Sequence, residues 1–480
     1  MKTFRSIIII LVCGFTFAAC EDFLNITPEG QIKQSELLST AEGIEDALYG
    51  AYSQLRGLSL YGQNLSFHTV EVLSQTFSCK NNPTVTALTE YDYTNTNVKS
   101  VFDGIWTAMY KNISNVNSIL DAPLVADAKE YPYTIYKGEA LGLRAFMHFD
   151  LVRLFAEQYT QNPKADGIPY ATEFSLKTPE FESIEENYRH ILADLHEAEQ
   201  LLANEEDYHE ESYFMTDRQI HCNLYAVQAL LARVYLTMGN NTKAAEYARM
   251  VIEKSPYKLN QKTDIPHDVA GVLSAKETLF GIYYAEWYNT VSTMLQQSVD
   301  RTSLNPRGDI KTIYDREKVG DDYRLNTDAY FTTIDRGGTP TDRLCKLTEY
   351  YELNGQPDKR PQELILGINL IRMPEMYYIM AEALLDTKMD SATWYFDRVL
   401  ESRGLTSLAT RKPAETVTQE LINLERFKEY IGEGQTFFNL KRQNLPISAW
   451  DDAGNTEKTI PASNALYVIP IPDSEYENRF

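Results

Sequence analysis

AVQALLARVYLTMGNNTKAAEYARMVIEKSP, residues 226–256, is the most regular piece of the chain, and its spacing sets the fold. Leu231 and Tyr235 stand four apart, so they share one face of a helix. Ala232 and Ala244 are small enough to let two helices approach closely. Gly239 permits a reversal between them, and Pro256 stops the second helix. The stretch is therefore a helix, a tight turn and a second helix.

Leu231, Ala232, Tyr235, Gly239, Ala244 and Pro256 also fall at the spacings of a tetratricopeptide unit, one of the repeating helix pairs. Looser versions occur elsewhere. MPEMYYIMAEALLDTKMDSATWYFDRVLESRG (373–404) reads as another pair, with Ala381 at the close contact and Gly404 ending it. GEALGLRAFMHFDLVRLFAE (138–157) is apolar nearly all round, which predicts a helix buried between neighbours. SIEENYRHILADLHEAEQLL (183–202) is amphipathic, with Ser183 as N-cap and Glu186 completing a capping box. AEGIEDALYGAYSQL (41–55) and VKSVFDGIWTAMYKNISNVNSIL (98–120) complete the helical set. The expected fold is mainly α: about four tetratricopeptide-like helix pairs, at about 41–56, 99–159, 183–256 and 372–442. They support an irregular, loop-rich region with a few short strands. The intervening stretches, about 57–98, 160–182, 257–370 and 443–480, are too long for simple loops and should carry structure or a binding surface of their own. KETLFGIYYAEWYN (276–289) is β-rich and predicts a strand.

The N-terminus has the three parts of an export signal: Lys2 and Arg5, an apolar run from Ser6 to Phe17, then Ala18 and Ala19. The run is too short to span a bilayer comfortably, for which about 20 residues are needed. Phe17-Ala18-Ala19-Cys20 resembles a bacterial lipobox, in which the cysteine is lipidated and becomes the new N-terminus. A cleaved signal with a free cysteine is the other reading. Residues 1–19 are then leader, 20–480 a single mature domain, and a triacylated Cys20 a lasting tether. Loss of Lys2 and Arg5 takes the net charge from −23 to about −25. So acidic a chain does not suit nucleic acid or anionic lipid as a partner. Cys79, Cys222 and Cys345 form no disulfide framework or metal spacing, and buried free thiols with at most one disulfide are expected.

These pieces together resemble the RagB/SusD-type surface lipoproteins of Bacteroidota, over essentially the whole length. The matching segments run in the family's order: the cysteine and EDFLNITP (21–28), GEALGLRAFMHFDLVRLF (138–155), GIPY (167–170) and the Tyr235 helix pair. LFGIYYAE (279–286), IRMPEMYYIMAEAL (371–384), ERFKEYIGEGQTFFNLKR (425–442) and YVIPIPDSEYENR (467–479) follow. Gln435 and Asn439 depart from the family's more usual Arg and Asp. The resemblance implies a lipid-anchored protein on the outer face of the outer membrane. It implies capture of oligosaccharide, or in some members peptide, and delivery to a SusC-like TonB-dependent transporter. Glu21 and Asp22 resemble the family's surface-export signal.

No H-E-x-x-H, G-x-S-x-G or G-x-x-x-x-G-K-[ST] pattern is present, and the resemblance implies neither catalysis nor a cofactor. Two carboxylates suited to glycoside hydrolysis could still hide among 68 acids. His190 and His196, six apart on one helix, read as surface residues, and His221-Cys222 as packing or capping groups rather than metal ligands. A sugar site calls for exposed aromatic faces with polar side chains at their edges. Trp287 and Tyr288, between Glu286 and Asn289, are the first candidates, with core packing as the alternative for Trp287. Phe77, Asn81 and Asn82 lie where some family members carry ligand contacts, although Asn82-Pro83 is equally a turn. Phe67 and His68 complete the set. Trp106 and Trp394 sit on repeat helices and are expected in the core, and Trp450 in a surface turn.

Overall fold

The computed structural model describes residues 34–79, 82–208, 211–261, 263–264, 272–295, 304–306, 313–314, 320–326, 330–336, 339–344, 346–347, 365–450 and 456–477. Cys20, Asn81, Cys345 and the Asp451–Gly454 turn lie outside these residues, as do the side chains of Tyr288 and Trp450.

Eight helices follow one another as a solenoid: α1 (Ala41–Leu55), α2 (Thr96–Leu120), α3 (Tyr133–Phe155), α4 (Ile184–Leu202), α5 (Leu224–Thr237), α6 (Asn241–Lys254), α7 (Met373–Leu384) and α8 (Met389–Ser402). Each packs on the next, α9 (Gln419–Tyr430) packs against α7, and α10 (Gln435–Arg442) packs against α9. The fold is mainly helical, as the repeat spacing predicts. Among the described residues no helix is long and apolar enough to cross a membrane.

Polar caps set where these helices begin. Thr40, Asn95, Ser183, Asn223, Asn240 and Thr418 each accept a hydrogen bond from a first-turn N–H, each worth about 1 kcal/mol. The predicted capping box is only half made. Ser183 Oγ accepts from the Glu186 N–H at 3.2 Å, but the Glu186 carboxylate turns outward to Arg189 at 2.8 Å. Gly239 holds φ at +75° in the α5–α6 turn, a conformation that costs other residues about 1 kcal/mol or more. Ala232, Ala244 and Ala381 are fully buried at the helix contacts.

Helix α3 is the buried spine. A Cβ at Gly138 would meet Leu202 of α4 at 2.7 Å, so only glycine allows this approach. Buried charges on α3 are matched by its neighbours. Arg144 makes two 2.7 Å bonds to Asp194 of α4, and Asp150 takes Arg153 and the Tyr61 hydroxyl. Burial pushes His148 down to about 3, so the ring is neutral and accepts from the Ala171 N–H at 3.1 Å. His190 and His196 are only partly exposed: His190 stacks near Tyr170, and His196 bonds the Tyr235 hydroxyl at 2.9 Å. Trp106 is buried on Phe155, but Trp394 is 50% exposed, with Arg398 over its ring. The expectation of a core Trp394 fails because α8 turns that position outward, whereas Phe396 faces in. Cys79 and Cys222 are buried thiols.

The insertion after α6 forms a three-stranded antiparallel sheet: β1 (Val272–Leu273), β2 (Thr278–Tyr283) and β3 (Ile365–Arg372), with β3 central. The predicted 276–289 strand is shorter than read, because the chain turns after Tyr283 and Trp287 begins a helix to Met294. A buried ionic network fastens this sheet to the solenoid. Glu429 on α9 accepts from Arg403 at 2.8 and 3.0 Å, from Arg372 at the end of β3 at 2.7 Å, and from Arg324 at 3.2 Å. Glu277, just before β2, takes Arg372 at 2.8 Å and Arg403 at 2.9 Å. Burial opposes ionisation of Glu429, yet Arg403 and Arg372 hold its carboxyl well below the usual range. Glu429→Gln removes the shared counter-charge of three buried guanidinium groups and should cost about 3–5 kcal/mol in urea unfolding. A loss under about 1 kcal/mol would refute the central role given to this residue.

Glu71 clamps the chain between α9 and α10, accepting from the Gly432 and Gly434 N–H groups at 3.1 and 2.9 Å. Burial pushes its carboxyl up to about 7, partly offset by those bonds. A raised folded-state value means the folded protein binds this proton more tightly. The resulting stabilisation is full below about pH 4.5 and fades as pH rises through 7. Wild type should therefore lose up to about 3 kcal/mol relative to Glu71→Gln between pH 4.5 and 8, read from urea midpoints. Parallel pH profiles for the two proteins would rule out the clamp as a titrating group.

Candidate functional site

A cleft of about 520 Å³ opens where α1, the segment before α5 and the end of β2 converge. That volume suits a small organic ligand. Its base is built from α1 and α3. Tyr52 donates to Glu139 Oε2 at 2.6 Å and accepts from the Cys222 N–H at 2.8 Å. His221 Nδ1 lies 3.1 Å from the same carboxylate oxygen, and Arg218 is ion-paired to Glu139 and Glu205, each at 2.6 Å. Burial disfavours the Glu139 anion, but Arg218 and His221 outweigh it and hold its carboxyl at about 2. The base is thus a buried cluster of paired charges. It orients Tyr52 and His221. Burial, with Glu45 and Glu139 nearby, pushes Tyr49 up to about 12, so this phenol stays neutral.

The rim differs in character. Tyr213 is 81% exposed and Tyr283 51% exposed, so both present ring surface to solvent. The Arg56 guanidinium lies over the Tyr284 ring at 5.5 Å, beside them. Exposed Ser53 and Asp217 add a hydroxyl and a carboxylate, and Asp217 is held at φ +48°. Asp tolerates this left-handed conformation better than most residues. Aromatic faces with donors and acceptors at their edges are what a saccharide ring requires.

The predicted ligand residues fall differently. Trp287 is only 2% exposed, its ring edge-on to Phe67 at 5.4 Å and near Tyr284 at 6.1 Å. Phe67 and Phe77 are fully buried. None of these three offers a ring face to a ligand here, which corrects the expectation for them: the chain folds back after β2 and carries Trp287 inward onto the Phe67 segment. Asn82 caps the short helix Pro83–Thr89, its Oδ1 accepting from the Thr84 and Val85 N–H groups. His68 is partly exposed, 3.3 Å from Thr69 Oγ1, and desolvation pushes it down to about 4. Tyr288 contributes backbone to the helix that Trp287 starts. Thus Phe67 and Trp287 do meet, as core, and the exposed aromatics at the cleft are Tyr213 and Tyr283. Tyr283 ends a strand whose other residues are all buried, a pattern that the sequence itself does not record.

Two sequence families match this chain. One, described as "Starch-binding associating with outer membrane", covers residues 22–236, and the other, "SusD family", covers residues 222–479. The chain belongs to the SusD family. Among curated SusD relatives, SusD-like protein P2 of Formosa agariphila is 25% identical over 516 residues, covering 99% of this chain and 97% of that protein. A SusD superfamily crystal structure from Bacteroides thetaiotaomicron aligns with TM-score 0.70 at 24% identity, covering 92% of this chain and 98% of that one. A structure described as a laminarin binding SusD-like protein aligns with TM-score 0.61 at 18% identity, covering 91% of this chain and 97% of that one.

If this SusD protein uses Trp287 as core, Trp287→Ala should lose about 3–5 kcal/mol of stability. Tyr283→Ala, at an exposed position, should change it by less than about 0.5 kcal/mol. Urea unfolding of the two variants checks both; equal effects would contradict the assignment of buried and exposed rings.

Proposed function

We propose that this protein is a cell-surface glycan-binding subunit of an outer-membrane importer, and that it captures saccharide in the Tyr213–Tyr283 cleft without chemistry. The observation that carries this reading is the pairing of two exposed tyrosine faces with Arg56 and Asp217 over the Glu139 charge cluster. Family membership supports it, as do solved relatives described as carbohydrate binding and laminarin binding. The partner is a SusC-like TonB-dependent transporter and the tether a lipidated Cys20, with Glu21 and Asp22 as the surface address. Two partners held in one membrane reach a high effective concentration, so their shared interface can be small and still persist.

The mature domain should bind laminarin or another neutral polysaccharide by titration calorimetry and release no reducing sugar from it. Each aromatic face contributes about 1 kcal/mol, so Tyr213→Ala and Tyr283→Ala should each weaken binding roughly fivefold. Saturation by peptides and by no polysaccharide would replace the glycan with a peptide in the same role. Binding untouched by either substitution would move the ligand away from this cleft. Co-purification of a barrel-and-plug transporter from detergent-extracted outer membrane, lost on Cys20→Ser, tests partner and anchor together.

A further inference from the structure

A second cavity, of about 180 Å³, lies where α9, α10 and the strand Ile447–Trp450 meet. Three of its lining residues keep a buried polar atom with no protein partner among the described residues: Arg426 Nη1, the Tyr430 hydroxyl and Thr436 Oγ1. Arg426 is 7% exposed and Tyr430 only 3%. Native proteins leave few such groups unmatched, and each costs free energy unless something bonds it. The amides beside them are already engaged. Asn439 donates to Asn423 at 3.2 Å, Gln443 donates to Asn423 at 2.8 Å, and Asn439 accepts from Arg442 at 2.7 Å.

The charges around the cavity do not balance. Arg233 takes both oxygens of Glu375 at 2.7 and 2.6 Å, and Arg442 takes both oxygens of Glu382 at 2.6 and 2.5 Å. Among the described residues Arg426 has an ion pair only with Glu375, at 3.8 Å, which is beyond hydrogen-bond distance. Three guanidinium groups therefore share two carboxylates, and the surplus positive charge sits on Arg426. Burial and the neighbouring Arg442 both push its guanidinium down, the direction expected of a cation short of counter-charge.

We propose that this cavity is a binding site for a single carboxylate. One carboxylate supplies the missing negative charge, and its two oxygens can accept from Arg426 and from the Tyr430 and Thr436 hydroxyl groups. A dianion would overcompensate one surplus cation, and a neutral sugar would leave the charge unmatched. The volume admits a carboxylate on a small organic body, either a free acid or the acid group of a uronic sugar. The inference does not rest on the glycan cleft, whose residues are a separate set.

The test is calorimetry and thermal unfolding of the mature domain with acetate, D-glucuronate, glucose and sulfate, each against chloride of equal ionic strength. Acetate or glucuronate should bind and raise the melting temperature beyond chloride, while glucose should not. A response to acetate alone assigns a free small acid, and a response to glucuronate an acidic sugar. Tyr430→Phe and Thr436→Val should each weaken the carboxylate about tenfold. Both should keep the unliganded melting temperature, since each removes an unmatched polar atom without removing volume. Arg426→Met should abolish the response. No carboxylate effect beyond chloride, an equal effect of sulfate, or an effect unchanged in both hydroxyl variants would overturn the proposal.

Discussion

Glu429 is the counter-charge on which the C-terminal half of the fold depends. Its carboxylate is fully buried, and it joins the end of α8, the end of β3 and the segment at Arg324 to α9. Arg372 and Arg403 also meet on Glu277, so the start of β2 is held by the same cations. Replacing such a network by apolar residues could be neutral, since the desolvation cost of each charge is large. Removing one member is different, because the remaining charges have no water to turn to. The network therefore fixes the arrangement of these elements as much as it strengthens it.

That arrangement places the cleft. β2 pairs along β3, with Thr278 opposite Arg372 at one end and Tyr283 opposite Gly367 at the other. Anchoring one end of the sheet in the charge network thus sets where Tyr283 emerges. On the opposite wall, Glu139 of α3 holds Tyr52 of α1, Arg218 and His221 in one cluster. The proposed binding surface then requires little of its own: two rings and a few polar groups mounted on hydrogen-bonded walls. Such a surface suits modest, reversible capture, because stacking on a pre-formed face loses little conformational entropy.

The scaffold was largely legible in the sequence. Gly239 is at positive φ in the turn assigned to it, Ala232 and Ala244 are at the close contact, and 41–55 is helical over the span read. These features are local: each follows from residues three or four apart and from caps beside them. Ser183 shows the limit even there. Its hydroxyl caps α4 as expected, but Glu186 has Arg189 within reach on the same face and leaves the box open.

The site was less legible, for a physical reason. By itself the sequence determined that helices pair by small residues and that an aromatic segment ends β2. Only the tertiary structure decided which aromatic faces outward. Trp287 is covered by Phe67 and Tyr213 is left bare, although both lie in polar surroundings along the chain. Burial of a ring depends on what arrives over it from distant segments. No spacing within one segment records that, nor the surplus charge at Arg426, whose neighbours come from α5, α7 and α10.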